Sequence, residues 1–305
     1  MKKKDSSPLK FDSISNAHQA FGLPKPPHPL ISLVNTAGVV SDTVRPSGSH
    51  LLSFYKISLR TKLSGSLKYG QGYYDFAEGG LLFAAPNQLI GSSDSKDGIS
   101  EYVLLIHPDF LIGYPLAKNI RQYGFFSYST NEALHLSEQE KTTIVSTFKL
   151  IEEELNSRID DFSQEVIVTQ IELLLNYAKR FYKRQFITRK ATSNALLQKL
   201  ELLLDEYFSD EKSVRQGIPT VHYLAENLNI SPNYLSDMLR SLTGQNAQQH
   251  IHDKLIEKAK EKLSTTNLSI SEVAYAIGFE HSQSFSKLFK LKTKVSPLAF
   301  KRSFD

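Results

Sequence analysis

The 305-residue sequence contains no cysteine, which excludes a disulfide framework, a thiol nucleophile and Cys-ligated zinc. No uncharged apolar run approaches the roughly 18 residues that a membrane span needs. The start, Met1-Lys2-Lys3-Lys4-Asp5-Ser6-Ser7-Pro8, is basic but has no apolar stretch behind it, so it does not read as a secretory signal. The nine histidines include no His-x-His pair on a strand, and His250-x-His252 lies in a helical pattern, where i and i+2 do not converge on one ligand. Gly70-Gln71-Gly72 lacks the rest of a phosphate loop or dinucleotide fingerprint and reads as a strand turn. These absences predict a soluble chain of a reducing, cytoplasmic compartment, with no metal, no cofactor and no membrane partner. What remains is an ordinary globular balance, 40% apolar and 22% charged, at a length that suggests two domains.

The net charge of +4 becomes informative once it is located. Residues 213–305 hold 12 Lys and Arg against 8 Asp and Glu, whereas the preceding residues are balanced at 24 against 24. Within that tail, residues 282–305 carry six bases (Lys287, Lys290, Lys292, Lys294, Lys301, Arg302) and one acid. Such asymmetry points toward an anionic partner, although a basic cluster is also what a solvated face looks like.

The chain divides by pattern. Residues 1–30 are polar, end in Gly22-Leu23-Pro24-Lys25-Pro26-Pro27-His28-Pro29, and read as a flexible arm. From 31 to about 130, short β-branched and aromatic runs alternate with Gly, Pro and Ser turns, which predicts an antiparallel β-barrel or sandwich. Its aromatic cluster Tyr69, Tyr73, Tyr74, Phe76 and Phe83 suits either core packing or an effector pocket. From 137 the period turns helical. Ser137-Glu138-Gln139-Glu140 is a capping box, and two amphipathic helices over about 137–187 are expected to cover the barrel and to pair with a second copy. Six bases over 179–190 are either favourable charge at a helix C-terminus or an accessory phosphate contact.

The region 194–305 is all-helical and contains an internal repeat. Apolar residues fall at i, i+3, i+4 and i+7 in Val221, Leu224, Ala225, Leu228 and again in Ile270, Val273, Ala274, Ile277. After a short break each unit starts a new helix with its own apolar face, Leu235/Met238/Leu239 and Phe285/Leu288/Phe289. Ser231-Pro232 and Ser296-Pro297 are helix starts, Ser269-Ile270-Ser271-Glu272 is a capping box, and Gly278 tolerates positive φ at a helix end. Helix, tight turn and crossed helix is the helix-turn-helix arrangement. The outward face of the first unit's second helix would be Asn233, Ser236, Asp237 and Arg240; that of the second would be Ser282, Gln283, Ser286, Lys287 and Lys290. Such short polar and basic side chains suit the major groove of double-stranded DNA. A continuous helix from Gln248 to about Leu263, roughly 24 Å long, would join the units as a strut.

At these residues the tail resembles the AraC/XylS family of bacterial transcription regulators. The second unit carries Ile270-x-x-Val273-Ala274-x-x-x-Gly278-Phe279, then Phe285-Ser286-Lys287-Leu288-Phe289-Lys290, Ser296-Pro297 and Phe300-Lys301. The first carries Leu224-Ala225, Ser231-Pro232-x-Tyr234-Leu235 and Leu239-Arg240-x-x-Thr243-Gly244. The resemblance implies a cupin-like N-terminal barrel with dimerisation helices (31–190), a double helix-turn-helix domain (194–305), and no enzymatic activity. It further implies promoter binding, activation through RNA polymerase, a homodimer and, often, a small effector in the barrel. Base readers would be Asn233, Ser236, Asp237, Ser282, Gln283, Ser286 and Lys287; Lys287, Lys290, Lys292 and Arg302 would contact phosphates. Three residues depart from the family pattern. Asp237 stands where Arg is common, Lys294 replaces a Gly that Gly244 represents in the first unit, and Lys301 replaces an Arg. The competing class is a cupin-type barrel enzyme with a helical appendage.

Overall fold

The computed structural model describes residues 8–36, 50–60, 63–69, 72–76, 80–90, 100–129, 132–157, 160–188, 190–209 and 212–304. They divide into two units, Met1–Gln185 and Phe186–Asp305.

The first unit runs β1 (Leu9–Phe11), α1 (Ile14–Ala20), β2 (Ile31–Asn35), β3 (His50–Leu52), β4 (Tyr55–Arg60), β5 (Leu63–Tyr69) and β6 (Gly72–Phe76). It continues through β7 (Gly80–Ala84), β8 (Leu89–Ile90), β9 (Ser100–Ile106), short helical turns with α2 (Leu116–Asn119), and β10 (Leu134–His135). Helices α3 (Glu138–Asn156) and α4 (Ser163–Thr188) follow. The main sheet has the order β10-β7-β4-β9-β2 and is antiparallel throughout, with Ile57 of β4 opposite both Phe83 and Leu104. Alternation sets its faces: Tyr55, Ile57 and Leu59 are buried, while Lys56 and Arg60 are half-buried.

A second sheet, β1-β3-β8, contains one parallel pair, and β5-β6 is a separate hairpin. Among the described residues no sheet closes on itself, and what the structure shows of the expected barrel is a β-rich region of separate sheets. Strand pattern specifies faces and register, but closure depends on the pairing of edge strands distant in sequence, which no local pattern encodes.

The expected arm also differs. Residues 9–20 form β1 and α1, and Phe11, Ile14 and Ala17 pack into a core cluster with Leu52, Phe54 and Leu105. Ser13 caps α1 by accepting from the Asn16 N–H at 3.2 Å.

The capping box at Ser137 and Glu140 forms as expected and starts α3. This helix lays Phe148 parallel against Tyr102 of β9, ring centroids 5.3 Å apart. On α4, Ile167, Ile171, Leu174, Leu175, Ala178, Phe181 and Tyr182 are buried. Arg184, one of the six bases at 179–190, donates to Glu140 at 3.0 Å and to the His135 carbonyl at 2.8 Å. It therefore ties α4 to α3 and the end of β10 rather than lying on a solvated face.

The second unit is helical: α5 (Lys190–Ser209), α6 (Lys212–Gln216), α7 (Val221–Leu228), α8 (Pro232–Thr243), α9 (Ala247–Thr265), α10 (Ile270–Ala276), α11 (Ser282–Thr293) and α12 (Pro297–Lys301). Its core joins Leu200 and Leu204 of α5, Leu235 and Leu239 of α8, Ile251, Leu255 and Ala259 of α9, and Phe285 and Phe289 of α11, all buried. Burial of the two phenylalanines is worth several kcal/mol, since truncating such a side chain to Ala costs about 3–5 kcal/mol.

Candidate nucleic-acid interface

The two repeats adopt the same backbone. In the first, the Asn229 N–H donates to Glu226 O (3.1 Å) and the Ile230 N–H to Ala225 O (3.0 Å), with Asn229 left-handed at φ 55°. In the second, the Gly278 N–H donates to Tyr275 O (3.0 Å) and the Phe279 N–H to Ala274 O (3.0 Å), with Gly278 at φ 96°. Both are the same helix-ending turn, in which a residue of positive φ reverses the chain. Ala225 and Ala274 are fully buried at the crossings, where a larger side chain would hold the helices apart.

The second helices also match. Each is 12 residues long, α8 opening at Pro232 and α11 at Ser282. Ser231 caps α8 by accepting from Tyr234 N–H, whereas His281 before α11 makes no side-chain cap. Each ends in a threonine, Thr243 or Thr293, whose hydroxyl donates to the carbonyl four residues back at 2.9 or 2.8 Å. Each then takes a left-handed residue, Gly244 at φ 80° or Lys294 at φ 67°. Lys294 thus occupies the conformation that glycine suits best.

With the apolar faces turned inward, Asn233 and Arg240 are exposed and Ser236 and Asp237 half-exposed on α8. On α11, Gln283, Lys287 and Lys290 are exposed, and Ser282 and Ser286 half-exposed. Two of the basic side chains already have partners. Arg240 donates to Asp237 at 2.9 Å, which gives the unusual carboxylate a local role. Lys292, near the end of α11, donates to Asp253 of α9 at 2.7 Å. The other Asp253 oxygen accepts from Gln245, just after α8, at 2.8 Å. One carboxylate on the strut therefore holds the C-terminal ends of both second helices. Burial raises the Asp253 pKa, but the hydrogen bonds from Lys292 and Gln245 outweigh it and leave the carboxyl below its ordinary value.

His250 and His252 flank this point on α9. Burial pushes both imidazoles below their ordinary pKa; nearby Lys292 adds to the effect at His252, and Asp253 opposes it at each. Lys301 donates to the Leu268 carbonyl at 2.7 Å, closing α12 onto the start of the second unit, and Arg302 is exposed beyond it. Sequence reading did not single out Asp253 or Gln245. Their partners lie 39 and 8 residues away, and no local pattern marks them.

The aromatic cluster splits. Tyr69 lies on β5, and Tyr73, Tyr74 and Phe76 on β6; their side chains fall outside the described residues. Phe83 is core, with ring centroids 4.4 Å from Phe125 and 5.5 Å from Phe126. Among the described residues no three His, Asp or Glu side chains form a group that could hold a metal. No helix among them is long and apolar enough to cross a membrane.

Two helix-turn-helix units on one strut, each presenting a polar outward helix, make a double helix-turn-helix domain. Residues 224–303 match the family model described as a helix-turn-helix domain. Among curated relatives, the uncharacterized HTH-type transcriptional regulator YijO of Escherichia coli is 28% identical over 131 residues, 43% of this chain and 44% of its own length. The HTH-type transcriptional activator RhaS of Salmonella schwarzengrund is 28% identical over 152 residues, 50% of this chain and 52% of its own. The alignments thus span about half the length of these relatives. The DNA-binding domain of AdpA, solved in complex with a target DNA, is similar over 36% of this chain and 91% of that chain, at 23% identity and a TM-score of 0.31.

Proposed function

We propose that the protein is a DNA-binding transcription regulator that inserts α8 and α11 into successive major grooves of a promoter. The observation that carries this reading is the repeated unit itself, the same turn hydrogen bonds and the same 12-residue helix used twice around one strut. Asn233, Ser236, Gln283 and Ser286 read base edges, and Asp237 accepts from a cytosine amine when it is not holding Arg240. Lys287, Lys290, Lys292 and Arg302 supply phosphate contacts, and the Lys292 ammonium, with three donors, keeps its bond to Asp253 as it does so.

The curated relatives are named as transcription regulators, which favours this class over a barrel enzyme. RhaS is named as an activator, which supports activation here, and the activation we propose runs through a contact with RNA polymerase. The protein acts in the cytoplasm as a homodimer. The exposed Phe162, Val166 and Leu173, at helical spacing on and just before α4, support the pairing surface. The N-terminal unit senses a small effector.

Gel-shift titration against genomic fragments tests the reading. Lys290→Ala should weaken binding to all sequences alike and lower the salt slope by about 1, whereas Gln283→Ala should relax one base pair by about 1–3 kcal/mol. Binding with no preference over random DNA at physiological salt would overturn it.

A further inference from the structure

Alternate residues of β4 share one face of the main sheet, which places Lys56, Ser58 and Arg60 side by side. Together with Leu82, Ala84 and Ile90 they line a cavity of about 60 Å³. At roughly 10–15 Å³ per water, such a space holds about four to six non-hydrogen atoms. One atom of its polar wall lacks a partner. The Arg60 Nε is buried and makes no hydrogen bond, and burial lowers the guanidinium pKa, a sign of poor solvation. Ser32 Oγ is likewise buried and unpartnered, and it shares this face because Leu105 is in register with both Ser32 and Lys56.

A buried guanidinium N–H that lacks an acceptor is costly, and a carboxylate offers the planar pair of oxygens that the Arg60 fork fits. The apolar side formed by Leu82, Ala84 and Ile90 suits a short alkyl group, which a phosphate does not carry. One local feature competes. The register shifts between Leu59 and Arg60, and Glu101, opposite this step, has a buried Oε2 that is also unpartnered. Neutralisation of Arg60 through water by Glu101 would leave the cavity no appetite for an anion.

We propose that this cavity binds a small organic monocarboxylate of about four to six non-hydrogen atoms and is the effector site. Arg60 receives the carboxylate, Ser58 and Lys56 flank it, and the alkyl end rests on Leu82 and Ala84. The assignment deepens the regulator reading and rests on it only for the consequence of binding, not for binding itself.

The test uses the full chain, with thermal shift and titration calorimetry against acetate, pyruvate, lactate and inorganic phosphate at constant ionic strength. Pyruvate or lactate should bind saturably and raise Tm, because a ligand that prefers the folded state stabilises it by mass action. Arg60→Gln should weaken that binding at least tenfold and Ser58→Ala less. Leu82→Phe, which fills the cavity and leaves the guanidinium in place, should abolish it. None of the three should alter gel shifts measured without carboxylate. No saturable binding by any carboxylate, equal binding by Arg60→Gln and Leu82→Phe, or tighter binding of phosphate than of pyruvate would overturn the site. Binding that leaves DNA affinity unchanged would overturn the effector role, and absence of specific DNA binding both with and without carboxylate would instead count against the regulator reading.

Discussion

The two helix-turn-helix units share a backbone and differ in how each secures its turns. Both require a residue of positive φ after the first helix. In the first unit Asn229 supplies it at φ 55°. In the second, Gly278 supplies it at φ 96° in a crowded place, where a Cβ would come within 2.7 Å of the Gly217 carbonyl carbon. The segment before the first unit causes the crowding. Ser213 donates to the Ala276 carbonyl at 3.0 Å, and Tyr207 donates to the Gly217 carbonyl at 3.0 Å. Asparagine serves where only the dihedral matters, and glycine where dihedral and space matter together. At the far end of the second helices the assignment reverses. Gly244 has open space around its absent Cβ, while Lys294 takes the left-handed conformation with a full side chain. The second unit thus carries backbone strain at Lys294, in a stretch of net +5, whereas residues 213–281 are net −1.

The largest effect should separate the two turns. Gly278→Ala combines positive φ with a backbone clash and should destabilise the second unit by about 3 kcal/mol, against about 1 kcal/mol for Asn229→Ala. Amide hydrogen exchange read separately on α8 and α11 checks this, and equal losses would dissolve the contrast. Lys294→Gly should act in the opposite direction, stabilising by about 1 kcal/mol in chemical denaturation, while non-specific DNA affinity falls slightly through the lost charge.

Asp253→Asn removes the ion pair with the partly exposed Lys292 and should cost about 0.5–1 kcal/mol, a screened contribution. It should loosen protection on both α8 and α11, and a change confined to one helix would refute the double tie. The smallest effect is one of pH. The imidazoles of His250 and His252 are held below their ordinary value, so the unfolded chain takes up more protons and stability should fall as pH drops below about 6.5. His250→Gln should flatten that slope. Asp253, whose carboxyl is also held low, keeps its contribution until pH falls below about 3.8, so it does not account for a loss near pH 6.

The helical unit Phe186–Asp305 was largely legible because its determinants are local. Ser269 with Glu272, Ser231-Pro232 and Ser296-Pro297 mark helix starts within four residues, and each forms the cap its pattern implies. Apolar spacing then fixes which face turns inward. What escaped reading depends on partners far along the chain. Phe11 and Ile14 read as part of a polar arm until Leu52, Phe54 and Leu105 meet them. Arg184 reads as one more base until Glu140, 44 residues earlier, accepts from it. The outward faces of α8 and α11 follow from periodicity, and the Asp237–Arg240 pair is an i, i+3 contact within α8, but the engagement of Lys292 by Asp253 joins two helices and leaves no periodic trace. Sheet closure rests on the same kind of distant pairing.

Asp253 sits on a 19-residue helix and takes one hydrogen bond from the end of each unit. For a regulator that reads two grooves, this makes spacing a property of the protein rather than of the DNA. A base pair inserted between half-sites rotates one of them by about 34–36°, and a braced domain has no hinge to follow it, so the duplex itself would have to twist. Such a domain measures length as well as letters: a promoter with every contacted base intact but one step too long would count as the wrong site.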